Sequence, residues 1–469
     1  MGVRFFDTRQ RQLVDFEPVQ AGEVRMYTCG PTVYNLAHIG NFRTFMFEDL
    51  LRRHLKYRGF KVTQVMNLTD IDDKIIKACR TQDIALDEFT APYKTAFFED
   101  VDALRIQRAE IYPAATGHIA EMAAMVEALL AKNHAYRADD GSIYFRIASF
   151  PRYGKLSHMD LSELKAGARV SSDEYEKDSV SDFALWKAWD PDDGKVYWET
   201  SLGKGRPGWH LECSAMSMKY LGNPFDIHTG GVDNIFPHHE NEIAQSESAT
   251  GKPFANYWLH AEHLIVEGRR MAKSLGNFYT LRDLTRQGYP AVAVRYLLLS
   301  THYRQQLNFT FDGIDAAKAA IGRLRDFRQR LIEVDADGDG HGDFTDLVTS
   351  AEAGFGKHLD DDLNSSGALG VLFDFVRDAN RRIDAHAVDR ADAARALFLL
   401  SQIDGILSVF DEDEAQADGD AEIEHLIAER KQARTDKNWA RSDEIRDLLD
   451  AKGIVLEDTP AGTRWKRKL

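Results

Sequence analysis

Apolar positions near the start of the chain switch from strand-like to helix-like spacing and back. Residues 23–29 predict a buried strand that Gly30 ends. Apolar side chains then recur every three or four residues across Phe45–Leu55, which predicts an amphipathic helix closed at Gly59. Residues 61–68 predict a second strand. A strand, a helix and a strand within about 45 residues predict a parallel βαβ unit.

The remainder of the predicted sheet follows an insertion. Residues 115–200 begin with helical spacing and continue with short strand-like pieces, so we expect them to interrupt the sheet. Residues 225–228 predict a strand, and Gly230-Gly231 predict a tight turn after it. Residues 256–260 predict the strand that resumes the sheet.

The last third of the chain is predominantly helical in pattern. Residues 314–409 predict a helical bundle. Residues 411–424 contain eight acidic side chains and few apolar ones, which predicts a mobile linker before a small terminal module. The predicted fold class is therefore α/β, with an insertion, a helical bundle and a terminal module.

Composition narrows the functional classes. A chain of 469 residues should contain two to four domains, and no stretch approaches the roughly 18 apolar residues that span a bilayer. Three cysteines are too few for a disulfide framework, which favours a cytoplasmic protein with reduced thiols or metal ligands. The net charge of -16 argues against indiscriminate nucleic-acid binding, although a local basic patch remains at residues 464–468.

Two short motifs suit phosphate chemistry. His38-Ile39-Gly40-Asn41 lies at a predicted strand-to-helix turn, where helix N–H groups and the side chains of His38 and Asn41 can meet a phosphate. Residues 270–274 form a basic, glycine-flanked segment in which Lys273 can neutralise a leaving pyrophosphate. Taken singly, the first motif is more typical of an ordinary turn, and the second is more typical of a solvated basic loop.

Four residues can bind zinc. Cys29 and Cys213 both lie near predicted strand ends, and His238 and Glu242 share one face of a helix because they are four residues apart. On that helix His239 should point elsewhere. Taken singly, each cysteine is more typical of a buried, unligated thiol.

Three further features each allow a functional and a structural interpretation. Trp209, in a glycine-flanked segment near Cys213, suits either a pocket wall or the core. Trp439, among cationic side chains, suits either stacking on an unpaired RNA base or helix packing. Residues 335–346 have calcium-loop spacing, but Asp346 stands where a bidentate glutamate is usual, which favours a polar inter-helix loop.

Taken together, these motifs resemble the cysteinyl-tRNA synthetases, a family of class I aminoacyl-tRNA synthetases. The resemblance extends over almost the whole chain. It is carried by the two phosphate motifs and by residues 27–34, 67–74, 208–216, 236–245 and 453–459.

The resemblance implies a domain plan. It places a Rossmann-like catalytic domain in two halves, a connective insertion, a junction subdomain with the Lys273 loop, a helical bundle, an acidic linker and an anticodon-binding domain. The expected limits are residues 1–114 and 201–250 for the two catalytic halves, 115–200 for the insertion and 251–313 for the junction subdomain. The helical bundle is expected at 314–410, the acidic linker at 411–424 and the anticodon-binding domain at 425–469.

The resemblance also implies residue roles, which we state by position. The family's zinc ligands match Cys29, Cys213, His238 and Glu242. Its ATP site matches Pro31, His38, Gly40, Asn41, Arg270, Met271, Ala272, Lys273 and Ser274, with His38, Asn41 and Lys273 catalytic. Its amino-acid pocket matches Thr69, Trp209, His228 and Asp233. Its anticodon contacts match Arg434, Trp439, Asp443 and Asp458.

Both phosphate motifs depart from the family pattern. The second motif usually reads Lys-Met-Ser-Lys-Ser, whereas here Arg270 keeps only the charge and Ala272 lacks the hydroxyl. Asn41 stands where many class I enzymes have histidine, and it can still donate a hydrogen bond.

The function implied is ATP-dependent ligation of L-cysteine to tRNA-Cys through a cysteinyl-adenylate. One zinc ion per chain would select the thiol, and magnesium would accompany ATP. We expect a cytoplasmic monomer without a membrane partner. Two alternatives stay open: a cysteine ligase that uses an amino-sugar acceptor, and a catalytically silent tRNA-binding paralogue.

Overall fold

A computed structural model describes the elements of the chain within residues 2–159, 182–410, 417–451, 453–459 and 462–467. The strands are β1 (Arg4–Asp7), β2 (Gln12–Asp15), β3 (Glu23–Thr28), β4 (Lys61–Met66), β5 (Ala135–Arg137), β6 (Ile143–Phe145), β7 (Phe183–Ala188), β8 (Trp198–Thr200), β9 (Gly203–Pro207), β10 (Phe225–Gly231), β11 (Ala255–Ala261), β12 (Leu264–Val266), β13 (Arg269–Arg270), β14 (Leu307–Phe309), β15 (Ile454–Thr459) and β16 (Gly462–Arg467).

The helices complete these elements. They are α1 (Ile39–Tyr57), α2 (Asp73–Gln82), α3 (Leu86–Ala103), α4 (Ile119–Ala131), α5 (Trp209–Leu221), α6 (Glu240–Thr250), α7 (Leu281–Arg286), α8 (Ala291–Leu299), α9 (Phe311–Ile332), α10 (Gly342–Asp360), α11 (Ser365–Asp384), α12 (Arg390–Leu407), α13 (Ala417–Thr435) and α14 (Trp439–Ala451). Within the described ranges, no helix is both long and apolar enough to cross a membrane.

A four-stranded parallel sheet carries the site. Its strand order is β11-β10-β3-β4, and all three neighbouring pairs are parallel. The predicted βαβ unit is confirmed by β3, α1 and β4. Because the strands are parallel, their carboxyl ends meet at one edge of the sheet, where ligands bind in open α/β folds.

The predicted turn at Gly230-Gly231 is wrong, because both glycines belong to β10. They are required there by close packing and not by a turn. A Cβ at Gly230 would lie 2.8 Å from Cε1 of His239, and a Cβ at Gly231 would lie 2.3 Å from Oδ1 of Asp233.

The predicted insertion contains an antiparallel sheet of its own, with strand order β5-β6-β7-β9-β8. This sheet continues to Pro207, seven residues beyond the expected limit. Ion pairs join it to the first half of the parallel sheet's domain. Asp73 at the start of α2 lies 2.6 Å from Nη2 of Arg206 and 3.3 Å from Nζ of Lys187.

Helices α9 to α12 form the predicted helical region, and they share one apolar core with α1 and the sheet. The loop before α10 behaves as a polar connection. Asp337 pairs with Arg390 at 2.8 Å, and the Gly340 N–H donates to Asp389. His341 of this loop belongs to a candidate metal-binding group with Asp389 and Asp392.

The prediction of a linker at residues 411–424 is wrong from Ala417 onward. Residues 411–416 lie outside the described residues, but α13 already begins at Ala417. Burial explains the helix: Ile423 and Leu426 pack with Ile445 of α14 in the core of the terminal module. The hairpin of β15 and β16 completes this module.

Candidate functional site

A cavity of about 710 Å³ opens at the carboxyl ends of the parallel strands. Its walls come from the segments after β3 and β4, the end of β10, the residues after β11, and the loop around Arg270. Both phosphate motifs and three of the four predicted zinc ligands line it: His38, Gly40, Asn41, Arg270, Met271, Cys29, Cys213 and His238.

The four predicted zinc ligands lie together. Ligand atoms of Cys29, Cys213, His238 and Glu242 are all within 4.8 Å of one another, and all four side chains are buried. Such a group is compact enough for one ion at metal–ligand distances of about 2.0–2.3 Å. The elements that bring them together are adjacent: Cys29 follows β3, Cys213 lies in α5, and Glu242 lies in the first turn of α6.

The donor set suits a cation. Glu242 Oε1 lies 3.0 Å from His238 Nε2 but has no hydrogen-bond partner in the described structure. His238 Nδ1 lies 2.9 Å from His210 Nδ1. When His238 Nδ1 carries the proton of this hydrogen bond, His238 Nε2 is left with a free lone pair. Two acceptors facing each other in a buried space fit a shared positive ion.

The pKa directions agree with a site that needs a cation. Burial raises the pKa of Glu242 well above its usual range and lowers the pKa of His238 well below it. Hydrogen bonding with Cys213, together with burial, raises the pKa of the Cys29 thiol well above its usual range. A divalent ion reverses this penalty, because it stabilises the ionised thiol and carboxyl.

The expectation that His239 points elsewhere is wrong. Its Nε2 lies 3.2 Å from Cys29 Sγ and 3.9 Å from Glu242 Oε1. The reason is local: Ile235–His239 is an irregular π-helical turn with Phe236 in an extended conformation, so α-helical spacing does not apply to it.

This histidine belongs to an overlapping candidate group. Cys29, His228, His239 and Glu242 also lie within 4.8 Å. His239 Nδ1 continues to His260 Nε2 at 2.8 Å, and His260 Nδ1 continues to the Thr8 hydroxyl at 2.7 Å. The adjacent histidines in the sequence were the available signal for this second group.

The first phosphate motif is held by a reciprocal cap at the start of α1. The Asn41 N–H donates to His38 Nδ1 at 3.1 Å, and the His38 N–H donates to Asn41 Oδ1 at 3.1 Å. Burial lowers the pKa of His38 to about 4. The neutral ring therefore carries its proton on Nε2, and both side chains keep a donor for a ligand.

The segment that carries the second motif lies against the first, through a backbone hydrogen bond beyond the motif and through the Met271 side chain. The Ile39 N–H donates to the Tyr279 carbonyl at 3.0 Å. A Cβ at Gly40 would lie 3.1 Å from Met271 Cε, so glycine permits this approach. Lys273 is exposed, with Nζ 5.1 Å from the centre of the Phe278 ring.

Three of the four predicted amino-acid pocket residues line the cavity. Thr69, Trp209 and Asp233 do so. The Trp209 ring stacks on His238 with 4.3 Å between ring centres and is 45% exposed. His228 is not on the cavity wall; it is fully buried behind Glu242, with Nε2 2.9 Å from Oε2.

The predicted anticodon residues lie in the terminal module. Arg434 is near the end of α13, and Trp439 begins α14 with 59% of its surface exposed. Asp443 pairs with Arg446 at 3.3 Å. Asp458 lies in β15 opposite Thr463.

Three family models match the chain. Residues 15–319 match the class I (C) tRNA synthetase catalytic domain, residues 354–411 the DALR domain, and residues 416–465 the cysteinyl-tRNA ligase anticodon-binding domain. These three segments follow one another along nearly the whole chain.

Known proteins agree with these models. A cysteine–tRNA ligase of Protochlamydia amoebophila is 52% identical over 99% of this chain and 98% of its own length. One from Solibacter usitatus is 51% identical over the full length of both. A methionyl-tRNA synthetase of Mycobacterium tuberculosis shares the fold, with a TM-score of 0.64 at 13% identity over 82% of this chain and 92% of that one. The chain therefore belongs to the cysteine–tRNA ligase family of class I aminoacyl-tRNA synthetases.

Proposed function

We propose that the protein ligates L-cysteine to the 3′ end of tRNA-Cys through a cysteinyl-adenylate. The observation that carries this proposal is one cavity with two kinds of wall. Two thiols and an imidazole line one part of it, with the Glu242 carboxyl grouped behind them, and residues of both phosphate motifs line another part. Membership of the cysteine–tRNA ligase family supports the same reaction.

We assign one zinc ion to Cys29, Cys213, His238 and Glu242. These four are favoured over the overlapping group with His228 and His239 because a substrate can reach three of them from the cavity. Bound there, zinc supplies a soft position that prefers a thiolate to a hydroxyl, which distinguishes cysteine from serine. A pocket selecting by size and polarity alone rejects such an analogue weakly.

Adenylation is the first step. The cysteine carboxylate attacks the α-phosphorus of magnesium-bound ATP, and the bond to pyrophosphate breaks. His38 Nε2–H and the Asn41 amide donate to the oxygens on which charge increases, and Gly40 allows close approach. Since burial keeps the pKa of His38 near 4, the donor is a neutral imidazole at physiological pH.

The loop of residues 270–274 handles the leaving group. Lys273 neutralises pyrophosphate, and Arg270 adds charge. Met271 packs at Gly40, and Ala272 and Ser274 flank Lys273 in its turn. Pro31, on the opposite wall, completes the ATP site.

The cysteine itself is oriented by the cavity wall. We assign the Asp233 carboxylate to the substrate ammonium group, and Thr69 and Trp209 to the space around the substrate side chain. His228 acts from behind, because its contact with Glu242 fixes that carboxyl. We assign these roles as positioning and binding, without covalent participation.

Transfer to tRNA is the second step. A terminal ribose hydroxyl attacks the acyl carbon, and AMP leaves. Recognition of the anticodon falls to the terminal module, where the exposed Trp439 suits stacking on an unpaired base. Arg434, Asp443 and Asp458 supply polar contacts. We propose a cytoplasmic monomer with the domain order inferred from the sequence, in which the insertion extends to Pro207 and the terminal module begins with α13 at Ala417.

Two alternatives remain as outcomes of the test. A cysteine ligase acting on an amino-sugar would adenylate cysteine but leave tRNA uncharged, and the matched anticodon-binding segment at residues 416–465 argues against it. A silent tRNA-binding paralogue would adenylate nothing, and the complete ligand set with Lys273 argues against that.

The deciding experiment is cysteine-dependent ATP–pyrophosphate exchange, with serine in parallel, followed by charging of tRNA. We expect exchange with cysteine alone and formation of cysteinyl-tRNA. Exchange without charging would favour the amino-sugar ligase. No exchange from folded, zinc-loaded protein would leave only the silent paralogue. Undiminished preference for cysteine after zinc removal from folded protein would exclude zinc as the selector.

A further inference from the structure

An exposed tyrosine and lysine form a pair next to the cavity. The ammonium group of Lys74 lies 5.0 Å from the centre of the Tyr34 ring, and the Tyr34 side chain is 38% exposed. Neither residue lines the cavity itself. The pair takes no part in the adenylation chemistry.

Tyr34 and Lys74 each follow closely in sequence a residue that lines the cavity, and this connection places the pair at one edge of the cavity. Thr32 and Thr69 are bridged to each other, with the Val33 N–H donating to the Thr69 carbonyl at 3.0 Å. Tyr34 follows Thr32 by two residues, and Lys74 follows Thr69 by five.

The charge of Lys74 is not neutralised locally. Within the described part of the chain, Lys74 makes no ion pair. The neighbouring acids are engaged elsewhere: Asp70 pairs with Lys94 at 2.7 Å. Asp73 pairs with Arg206 at 2.6 Å. The Asp72 side chain accepts the backbone N–H of Lys74 at 2.8 Å as the cap of α2. A cation beside an exposed aromatic ring is the combination that binds single-stranded nucleic acid.

The position of Tyr34 and Lys74 outside the cavity limits which substrate they can contact. ATP and cysteine are small and fit within the cavity of about 710 Å³. Only the acceptor is a polymer, which must place a terminal ribose hydroxyl inside the cavity while the rest of its chain extends beyond the rim. Residues just outside the cavity can therefore contact the acceptor without contacting the other two substrates.

We propose that Tyr34 and Lys74 dock the 3′-terminal nucleotides of the tRNA, with a base stacked on the Tyr34 ring and a backbone phosphate paired with Lys74. This inference rests on the proposed function, because it names the acceptor of the second step. It makes both residues positioning residues for transfer and not for adenylation.

The test separates the two steps. In Tyr34→Ala we expect ATP–pyrophosphate exchange to stay within about twofold of wild type, while single-turnover transfer of cysteine to tRNA at subsaturating tRNA falls roughly tenfold, the effect of losing one stacked base. Tyr34→Phe keeps the ring and should transfer at close to the wild-type rate.

Lys74 has its own readout. Lys74→Ala should weaken tRNA binding and make the slope of log affinity against log salt shallower by about 0.7, the contribution of one phosphate of a single strand. A merely structural lysine would not change this slope.

Tyr197 provides a matched control. It is also 38% exposed, with Lys204 Nζ 4.0 Å from its ring centre, but it directly precedes β8 of the antiparallel sheet and does not line the cavity. Tyr197→Ala should leave both steps unchanged. The inference is overturned if Tyr34→Ala lowers exchange and transfer equally, if transfer is unaffected, or if the salt slope of Lys74→Ala equals that of wild type. A wild-type protein that charges no tRNA would overturn the proposed function as well.

Discussion

The two walls of the cavity are built differently. On one side Cys213 and Glu242 are 1% and 0% exposed, and the histidines behind them form a continuous chain of contacts. On the other side Lys273 and Ser274 are exposed, and Asn277 braces their loop by two hydrogen bonds to its backbone. Discrimination between sulfur and oxygen requires fixed ligand spacing. ATP entry and pyrophosphate release instead require a segment that can move.

Removing a metal ligand from the buried wall should have the largest effect on activity. In Cys213→Ala we expect loss of the metal and a fall in cysteine-dependent exchange of at least about a thousandfold, because one thiolate supplies a large part of metal binding. Metal content per chain and exchange rate are the two measurements.

Cys79 is the matched control, since it is also buried and unpaired but lies in α2 away from the cavity. Cys79→Ala should retain the metal and full exchange. If Cys213→Ala kept a stoichiometric metal ion, the overlapping group of Cys29, His228, His239 and Glu242 would be the better assignment.

The exposed wall should respond in rate and not in stability. We expect Lys273→Ala to lower the rate constant of exchange by about a hundredfold, the typical cost of removing one charge-stabilising donor. The melting temperature should not change, since Lys273 is exposed and its nearest described partner is the Phe278 ring.

Arg269→Ala tests whether any nearby positive charge suffices, because Arg269 is exposed on the same segment. It should lower exchange by less than about threefold, as expected for a screened surface charge. Equal losses in Lys273→Ala and Arg269→Ala would mean that the loop acts only through its overall charge.

The two walls also differ in how far sequence could predict them. The phosphate motif at His38 was predictable because strand, turn and helix follow directly along the chain, and α1 begins within the motif. Cys29 follows β3 and Cys213 lies in α5, so the two come together only because α5 packs against β3 in the folded chain. Spacing cannot encode that adjacency, so family resemblance had to supply the ligand set.

Two wrong predictions have one physical cause, which is packing that overrides a local signal. Gly230 and Gly231 suggested a turn, but they continue β10 because both pair with β11, while His239 and Asp233 occupy the space of their missing side chains. The acidic residues before Ile423 suggested a linker, but burial of that side chain favours a helix from Ala417. Neither contact is visible in a local window.

A buried carboxyl behind the rigid wall gives a prediction in stability. Glu48 of α1 is fully buried; the Thr229 hydroxyl donates to its Oε1 at 2.7 Å, and Oε2 has no partner in the described structure. Burial, partly offset by the hydrogen bond from Thr229, raises the pKa of Glu48 to about 8. Thr229 matters because its carbonyl accepts the Cys29 N–H at 3.2 Å.

The sign of the pH effect follows from linkage. The pKa of Glu48 is about 8 in the folded state against 4.5 for the free group, so unfolding releases a proton between these values and stability falls as pH rises through them. Glu48→Gln removes this penalty. At pH 8 we expect it to be more stable than wild type by on the order of 2 kcal/mol, with little difference near pH 4.5. Melting temperatures across this range measure the effect.

Glu110 gives the opposite sign in the same domain. Burial opposes its ionisation, but hydrogen bonds from Arg52 and the Gln64 N–H outweigh burial and hold the pKa of Glu110 below its usual range. Glu110→Gln should therefore lose stability at neutral pH and approach wild type in acid. Parallel pH curves for wild type and Glu48→Gln would mean that Glu48 is already ionised in the folded protein.

The smallest change in exchange rate is expected at Ala272, one of the residues that depart from the family pattern. Ala272 occupies the cap position of the short turn Lys273–Leu275 and offers no side-chain acceptor to it. In Ala272→Ser the hydroxyl can accept an N–H of that turn, which is worth about 0.5–2 kcal/mol at helix caps. Holding Lys273 in place should raise the rate constant of exchange by about two- to fivefold without changing the metal content. A slower Ala272→Ser enzyme would mean instead that release of pyrophosphate from a looser loop limits the rate. The exposed wall would then be tuned for opening, in contrast to the buried wall, which is built to stay closed.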